Sequence, residues 1–191
     1  KWLIANSSRL ILALVLIFSG IVKLIDPHGT EYKIEDYALS FGVSEFLPMY
    51  APLVLAIALA MFEFCMGVNL LFVINRRLTS TLVMIFLTIF TPFTLYLAIE
   101  NPVHDCGCFG DAWKLTNWQT FIKNVILLTS AIIMTMYHKL QSRLISIHSQ
   151  WLVSTYTWVF GFVLVLLVFL QPIVLCFERE CPSCCRLHCC R

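Results

Sequence analysis

Five apolar runs, each long enough to cross a bilayer, constrain this chain more than any other feature of its sequence. An α-helix needs about 20 mostly apolar residues to cross a hydrocarbon core about 30 Å thick. The runs occupy residues 10–25, 51–75, 78–99, 118–137 and 151–177. The sequence therefore predicts an all-α, polytopic membrane helical bundle, with four core spans and an additional fifth span at 151–177.

The composition agrees with a membrane protein and gives no reason to expect nucleic acid binding. Hydrophobic residues make up 60% of the chain and charged residues 13%, which is about half the usual charged share of a soluble domain. The net charge of +2 is spread along the chain, so it favours no nucleic acid partner. We expect the first run to be a retained span, because Lys23 and Asp26 close it and no small-residue cleavage site follows.

Basic residues mark one side of the predicted bundle. They lie at the first span, between the second and third, and between the fourth and fifth: Lys1, Arg9, Arg76, Arg77, Lys139 and Arg143. By the positive-inside rule this side is the cytoplasm. The acidic segment 26–50 and the loop near residue 106 then face outward, which in a bacterium is the oxidising periplasm. We expect a multi-pass inner-membrane protein with a cytoplasmic N-terminus.

Two local patterns predict structure on the outer side. Thr30 is a candidate N-cap for a short amphipathic helix ending at Gly42. That helix lies either flat on the membrane interface or against the end of the bundle. Thr116 and Gln119 have the spacing of a capping box, which places the start of the fourth span just after the loop.

The loop carries Asp105-Cys106-Gly107-Cys108-Phe109-Gly110-Asp111. A disulfide between Cys106 and Cys108 would close a very small ring through Gly107, depart from relaxed geometry and be easily reduced. An easily reduced disulfide is more typical of a redox pair that cycles between dithiol and disulfide than of a structural bond. Asp105 and Asp111 oppose thiolate formation, and His104 could offset them as a cation or a general base.

Two alternatives to a redox pair stay open for these thiols. One is a structural loop disulfide or an idle reduced pair. The other is metal binding by Cys106, Cys108 and His104, but a closed zinc site needs about four ligands and the loop offers three. We therefore predict no metal site and name Cys106, Cys108 and His104 as candidate catalytic residues.

Glu63 is the fourth candidate catalytic residue. It lies near the middle of the second span, about 18 Å from Ala51 at 1.5 Å per residue. A carboxylate at that depth is unfavourable in lipid and usually faces the bundle interior or a water-filled path. Glu63 is thus either a proton acceptor in quinone reduction, or a packing residue bonded to Ser19, Thr88 or Thr91. Lys23 either snorkels to the headgroups or pairs with Glu63.

Three further patterns are interpreted as packing. The aromatic stripe of the third span is more typical of packing than of a quinone slot: Phe86, Phe90 and Phe93. Cys65 is expected to be a small buried apolar residue. Gly20 and Gly67 are expected to permit close contacts between helices.

The cysteine-rich tail at 178–191 differs from the rest of the chain in composition. Cysteines recur from residue 176 onward: Cys176, Cys181, Cys184, Cys185, Cys189 and Cys190. Cys181-Pro-Ser-Cys184 has redox or zinc spacing, yet no strand and helix are predicted to present it. The favoured interpretation is an incidental or aberrant terminus, ahead of a thiol relay to Cys106 and Cys108 or a metal site.

Residues 9–138 resemble a known family of four-span membrane bundles. The stretch from Arg9 through Ser19-Gly20-Ile21-Val22-Lys23 to Asp26-Pro27 is similar to the opening of DoxX-like membrane proteins. The Cys-Gly-Cys-Phe-Gly loop resembles the branch of the methylamine utilisation protein MauE. This resemblance implies a role in maturing a disulfide-rich periplasmic dehydrogenase subunit. Other DoxX-like proteins are linked to quinone-coupled oxidation of sulfur compounds, so the resemblance also implies a link to a quinone.

The sequence thus predicts a membrane protein that supports periplasmic thiol-disulfide exchange. The expected partners are the lipid bilayer and a thioredoxin-like or disulfide-rich periplasmic client, with a quinone as the candidate electron acceptor. The alternative is a scaffold subunit without catalytic activity that holds a periplasmic redox protein at the membrane.

Overall fold

The described part of the chain forms six helices, of which the five long ones alternate in direction through the bundle. The computed structural model describes residues 2–43, 48, 50–100, 116–137, 146 and 149–178. The helices are α1 (Trp2–Ile25), α2 (Pro27–Ser40), α3 (Ala51–Phe72), α4 (Arg76–Glu100), α5 (Asn117–Met136) and α6 (Gln150–Glu178). All except α2 are long and apolar enough to cross a membrane. The predicted all-α polytopic bundle is confirmed.

Two predicted boundaries were wrong. The first span begins at Trp2 and not at residue 10, so Arg9 lies inside α1 and does not flank it. Arg9 is buried there, at 8% exposure. The second span ends at Phe72, because Val73 adopts a left-handed conformation with φ of 59° and a turn follows before Arg76.

The short helix after the first span starts earlier than expected. Its N-cap is Asp26, whose side chain accepts a hydrogen bond of 3.0 Å from the backbone N–H of Gly29, while Thr30 is buried inside the helix. Pro27 follows the cap, which is a favoured position for proline. Gly42, with φ of 66°, follows the C-cap Phe41 as predicted for a glycine that ends a helix.

Helix α2 packs against the bundle. It lies along α3, and two of its aromatic rings contact α4. The ring of Tyr37 meets Phe93 at a centroid distance of 5.9 Å, and Phe41 stacks on Tyr96 at 5.7 Å. We call this end of the molecule, where α1 and α4 finish and α3 and α5 begin, the α2 end. The contacts resolve the sequence alternatives in favour of packing on the bundle.

The apolar core differs between the two halves of the bundle. In the half away from α2, side chains from α1, α3, α4 and α5 form one cluster around Leu12, Leu70, Val83 and Leu127. In the half nearer α2, the cluster is built by α1, α3 and α6 around Leu24, Phe64 and Val165. The most extensive helix contacts are those of α1 with α3 and of α4 with α5.

Candidate functional site

Of the four predicted catalytic residues, the structure describes one, and the other three lie outside the described residues. His104, Cys106 and Cys108 fall in 101–115, and the tail cysteines from Cys181 onward fall in 179–191. The predictions on these residues therefore stay predictions. Glu63 is described, and its surroundings can be built from α1 and α3.

Segment 101–115 connects two helix ends that are held close together. Asn117 in the first turn of α5 donates from Nδ2 to the carbonyl of Leu97 in the last turn of α4, at 3.2 Å. Farther from the α2 end, Asn124 Nδ2 of α5 donates to Thr94 Oγ1 of α4, also at 3.2 Å. The segment with the Cys-Gly-Cys motif thus begins and ends at neighbouring points of the α2 end.

The predicted capping box fixes the start of α5. Thr116 Oγ1 accepts from the backbone N–H of Gln119 at 3.3 Å, and Gln119 Oε1 accepts from the backbone N–H of Thr116 at 3.1 Å. Two backbone donors of the first turn are satisfied by this exchange. The prediction is confirmed, and the residues after the motif are tied to a defined helix end.

Glu63 is bound on both of its carboxylate oxygens by α1. Lys23 Nζ lies 2.7 Å from Oε1, and Ser19 Oγ donates to Oε2 at 2.6 Å. The three residues are 4–6% exposed, so the ion pair is shielded from the surroundings of the bundle. We call Ser19, Lys23 and Glu63 the buried triad.

Two glycines bring α1 and α3 close enough for these contacts. A Cβ added to Gly20 would lie 2.6 Å from the backbone nitrogen of Phe64, and one added to Gly67 would lie 2.7 Å from that of Ile17. Neither position can hold a larger residue without moving a helix. The predicted close contacts at Gly20 and Gly67 are confirmed, and they seat Glu63 directly against α1.

The same contacts fix how deep the triad lies. Gly20 meets Phe64 and Ile17 meets Gly67, so the helices are antiparallel and Lys23 is level with Met61. Ala51, where α3 begins, is then about 15 Å farther toward the α2 end. Helix α1 finishes well below the start of α3, and Lys23 therefore lies inside the bundle.

Side-chain direction completes the pairing of Lys23 with Glu63. Helical side chains lean toward the N-terminus of their own helix. In the antiparallel pair, Lys23 near the end of α1 leans into the bundle, while Glu63 leans toward the α2 end. The two side chains therefore approach each other. The structure supports the pairing of Lys23 with Glu63 and does not support snorkelling of Lys23 to the headgroups.

Two other expected partners of Glu63 do not contact it. Thr88 and Thr91 donate to carbonyls of their own helix, to Met84 at 2.7 Å and to Leu87 at 2.7 Å. Ser19 is the expected hydroxyl that does bond Glu63. Cys65, next along α3, is buried at 3% exposure, as predicted for a small apolar residue.

The aromatic stripe of α4 belongs to a chain of ring contacts. Phe86 contacts Phe62 of α3 at 5.3 Å and Phe90 at 4.3 Å, and Phe93 contacts Tyr37 of α2. These rings therefore fill space among α2, α3 and α4, which agrees with the packing interpretation.

A cavity at the other end of the bundle lies away from both regions. An open cavity of about 530 Å³ is lined by Asn75, Arg76, Arg77 and Leu78, at the end opposite α2. Glu63, the predicted site residue that the structure describes, is not among these lining residues. Within the described ranges, no three His, Cys, Asp or Glu residues are grouped to hold a metal ion.

Sequence reasoning did not recognise Ser19 and Lys23 as a joint binding face. The signal was present, because residues four apart share one face of a helix and Gly20 lies between them. Their common partner depends on the register between α1 and α3, which is a property of the packed bundle.

The fold and the buried triad define an α-helical, multi-pass membrane protein. Among known proteins, residues 1–137 match the family described as methylamine utilisation protein MauE. The chain belongs to this MauE family, and the match ends before α6. Searches of curated proteins and of solved structures each gave no significant match.

Proposed function

We propose that this MauE-family protein supports thiol-disulfide exchange on exported proteins, with Cys106 and Cys108 as the exchanging pair. The observation that carries the proposal is the joining of the α4 and α5 ends, through Asn117 and Leu97. It supports a motif presented beside the bundle at the α2 end. Family membership supports a membrane protein in methylamine utilisation, for which the family is named, and the exchange role goes beyond that name.

The proposed chemistry is a two-electron cycle. A dithiol of the client attacks the Cys106–Cys108 disulfide, forms its own disulfide, and leaves Cys106 and Cys108 as thiols. A quinone then accepts two electrons and two protons from these thiols and becomes a quinol, which restores the disulfide. His104, two residues before Cys106, accepts a thiol proton as general base.

Orientation and client complete this proposal. The α2 end faces the periplasm of a bacterial inner membrane, and the N-terminus is cytoplasmic, by the positive-inside rule. The periplasm is oxidising, so a disulfide at 106–108 persists there. The client is a thioredoxin-like or disulfide-rich exported protein.

Glu63 has two proposed roles that one variant separates. Its contacts with Lys23 and Ser19 support a packing role between α1 and α3. The second role is acceptance of a proton during quinone reduction. Glu63→Gln keeps the shape of the side chain and removes the charge, so unchanged quinone turnover by a folded Glu63→Gln protein would exclude the proton role.

The test uses the full chain in detergent with a small dithiol and a short-chain ubiquinone. We expect the wild-type protein to form quinol, which is measured from the absorbance of the quinone. The rate of quinol formation should fall at least tenfold in Cys106→Ser. Cys65→Ala is the matched control, since it removes a buried thiol of α3 and leaves 101–115 unchanged. It should retain the wild-type rate.

Two outcomes would contradict the exchange role. Equal turnover in Cys106→Ser and wild type would show that the Cys-Gly-Cys motif takes no part in quinone reduction. Binding of a periplasmic redox protein without any dithiol-driven turnover would support the alternative, a non-catalytic scaffold subunit. Thiol labelling of Cys106 and Cys108 in intact cells and in inverted vesicles tests the orientation independently.

A further inference from the structure

Helix α1 buries a second cation, Arg9, in the half of the bundle away from α2. Its side chain is 8% exposed. The guanidinium atoms Nε and Nη1 are fully buried and have no hydrogen-bond partner among the described residues. Arginine is always protonated in proteins and all of its polar atoms are donors, so this position holds a positive charge with unmet donors.

Among the residues that the structure describes, no carboxylate is placed to neutralise Arg9. Residues 1–25, 64–99 and 112–177 contain no aspartate or glutamate. These ranges include all of α1 and α5, α4 as far as Ile99, and the parts of α3 and α6 in this half of the bundle, and Glu100 lies at the α2 end of α4. Glu63 is level with Ile21 along α1, which is about 18 Å from Arg9, and Lys23 and Ser19 already bind it.

Two buried hydroxyls at the start of α4, which lies at the same end of the bundle, donate to backbone carbonyls. Thr79 Oγ1 donates to the carbonyl of Ile74 at 2.8 Å, and Ser80 Oγ donates to that of Arg77 at 3.1 Å. A buried charge without a partner is strongly unfavourable in a membrane protein. An anion from outside the chain would compensate this charge.

The position of Arg9 indicates which anions can reach it. Arg9 is seven residues inside the start of α1, about 10 Å along the helix. Its side chain leans toward the N-terminus, and so toward the end of the bundle opposite α2, where phospholipid headgroups meet a spanning helix. The planar fork of a guanidinium matches the oxygens of a phosphate group.

We propose that Arg9 is the centre of an oxyanion site that binds a phosphate group at the end of the bundle opposite α2. The phosphate is either the headgroup phosphodiester of an anionic phospholipid or free inorganic phosphate. In both cases the oxygens accept the donors of Arg9 that the chain leaves unbound.

The test is native mass spectrometry of the full chain, delipidated in detergent, with three probes added separately. They are dioleoyl-phosphatidylglycerol, dioleoylglycerol, which has the same tails and no phosphate, and inorganic phosphate. Wild type should bind phosphatidylglycerol at least tenfold more tightly than dioleoylglycerol. Arg9→Gln should lose at least tenfold of this affinity, and Arg9→Lys should fall between, because it keeps the charge and has fewer donors.

Arg77→Gln is the same-end control. Arg77 is exposed, so its loss should weaken binding less than threefold.

Displacement of phosphatidylglycerol by inorganic phosphate would assign a free oxyanion, and failure of inorganic phosphate to displace the lipid would assign the lipid headgroup. Equal losses in Arg9→Gln and Arg77→Gln would overturn the site. If Arg9→Gln does not fold, equal wild-type affinity for phosphatidylglycerol and dioleoylglycerol would overturn it as well.

Discussion

The two most extensive helix pairs of the bundle use polar residues in different ways. Helices α1 and α3 are joined by a buried ion pair, Lys23 with Glu63, seated in a close contact at Gly20. Helices α4 and α5 are joined by neutral amide hydrogen bonds, from Asn124 to Thr94 and from Asn117 to Leu97. Both pairs are polar, but only the first carries charge.

This difference predicts different tolerance to substitution. A neutral hydrogen bond between membrane helices contributes on average about 0.6 kcal/mol and at most about 1.7 kcal/mol, because its groups find other partners when the helices separate. Loss of one partner of a buried ion pair costs about 3–5 kcal/mol, since it leaves a charge uncompensated. The α1–α3 pair should therefore be the fragile one.

The largest effect is expected for Gly20→Ala. The added Cβ would lie 2.6–2.8 Å from backbone and Cβ atoms of Phe64, so α1 and α3 must move apart and the buried triad must open. Overpacking of about 1–3 kcal/mol and a broken pair of about 3–5 kcal/mol give a loss of about 4–8 kcal/mol. The measurement is the free energy of unfolding in mixed detergent and dodecyl sulfate micelles.

Gly161→Ala is the matched control for Gly20→Ala. Its added Cβ would meet the side chain of Met61, with the sulfur at 2.5 Å. A methionine end can rotate away, so we expect a loss within about 1.5 kcal/mol. Equal losses in the two alanine variants would show that the close approach of α1 to α3 does not depend on Gly20.

The second effect is expected for Lys23→Met, which leaves Glu63 buried without its cation. The free energy of unfolding should fall by about 3–5 kcal/mol. The double variant Lys23→Met with Glu63→Met should recover wild-type stability or exceed it, because both charges are gone. A double variant no more stable than Lys23→Met would mean that the two charges are not coupled.

The smallest effect is expected for Asn124→Ala in the α4–α5 pair. Loss of the bond to Thr94 should lower the free energy of unfolding by about 0.6–1.7 kcal/mol. Thr129→Ala, on the exposed face of α5 with its hydroxyl bonded to Val125, should change stability by less than about 0.5 kcal/mol. A loss in Asn124→Ala as large as that in Lys23→Met would remove the contrast between the pairs.

The fold was largely predictable because membrane spans are determined by local composition. The apolar runs identified the five spans found in the described residues, and Thr116 with Gln119 located the start of α5. The start of α1 was missed because the polar stretch from Asn6 to Arg9 is typical of a flank outside the membrane. These residues are helical, and Ser8 and Arg9 are buried by neighbouring helices, which single-helix hydropathy does not register.

The described part of the site was only partly predictable. Glu63 was recognised because one carboxylate in an apolar span is conspicuous, and Ser19 was one of its expected partners. Its pairing with Lys23 depended on α1 finishing below the start of α3, which a single sequence does not reveal. The Asp26 cap was readable from the proline that follows it, but Thr30 was chosen instead.

The order of α1 and α3 along the chain matters for how the charges enter the membrane. Synthesis delivers Lys23 before Glu63, so the carboxylate arrives beside a helix that already holds its counter-charge. The hairpin of α1 and α3 can close before α5 is made. Pairing at that stage would spare the bilayer from accepting Glu63 as an isolated charge during insertion.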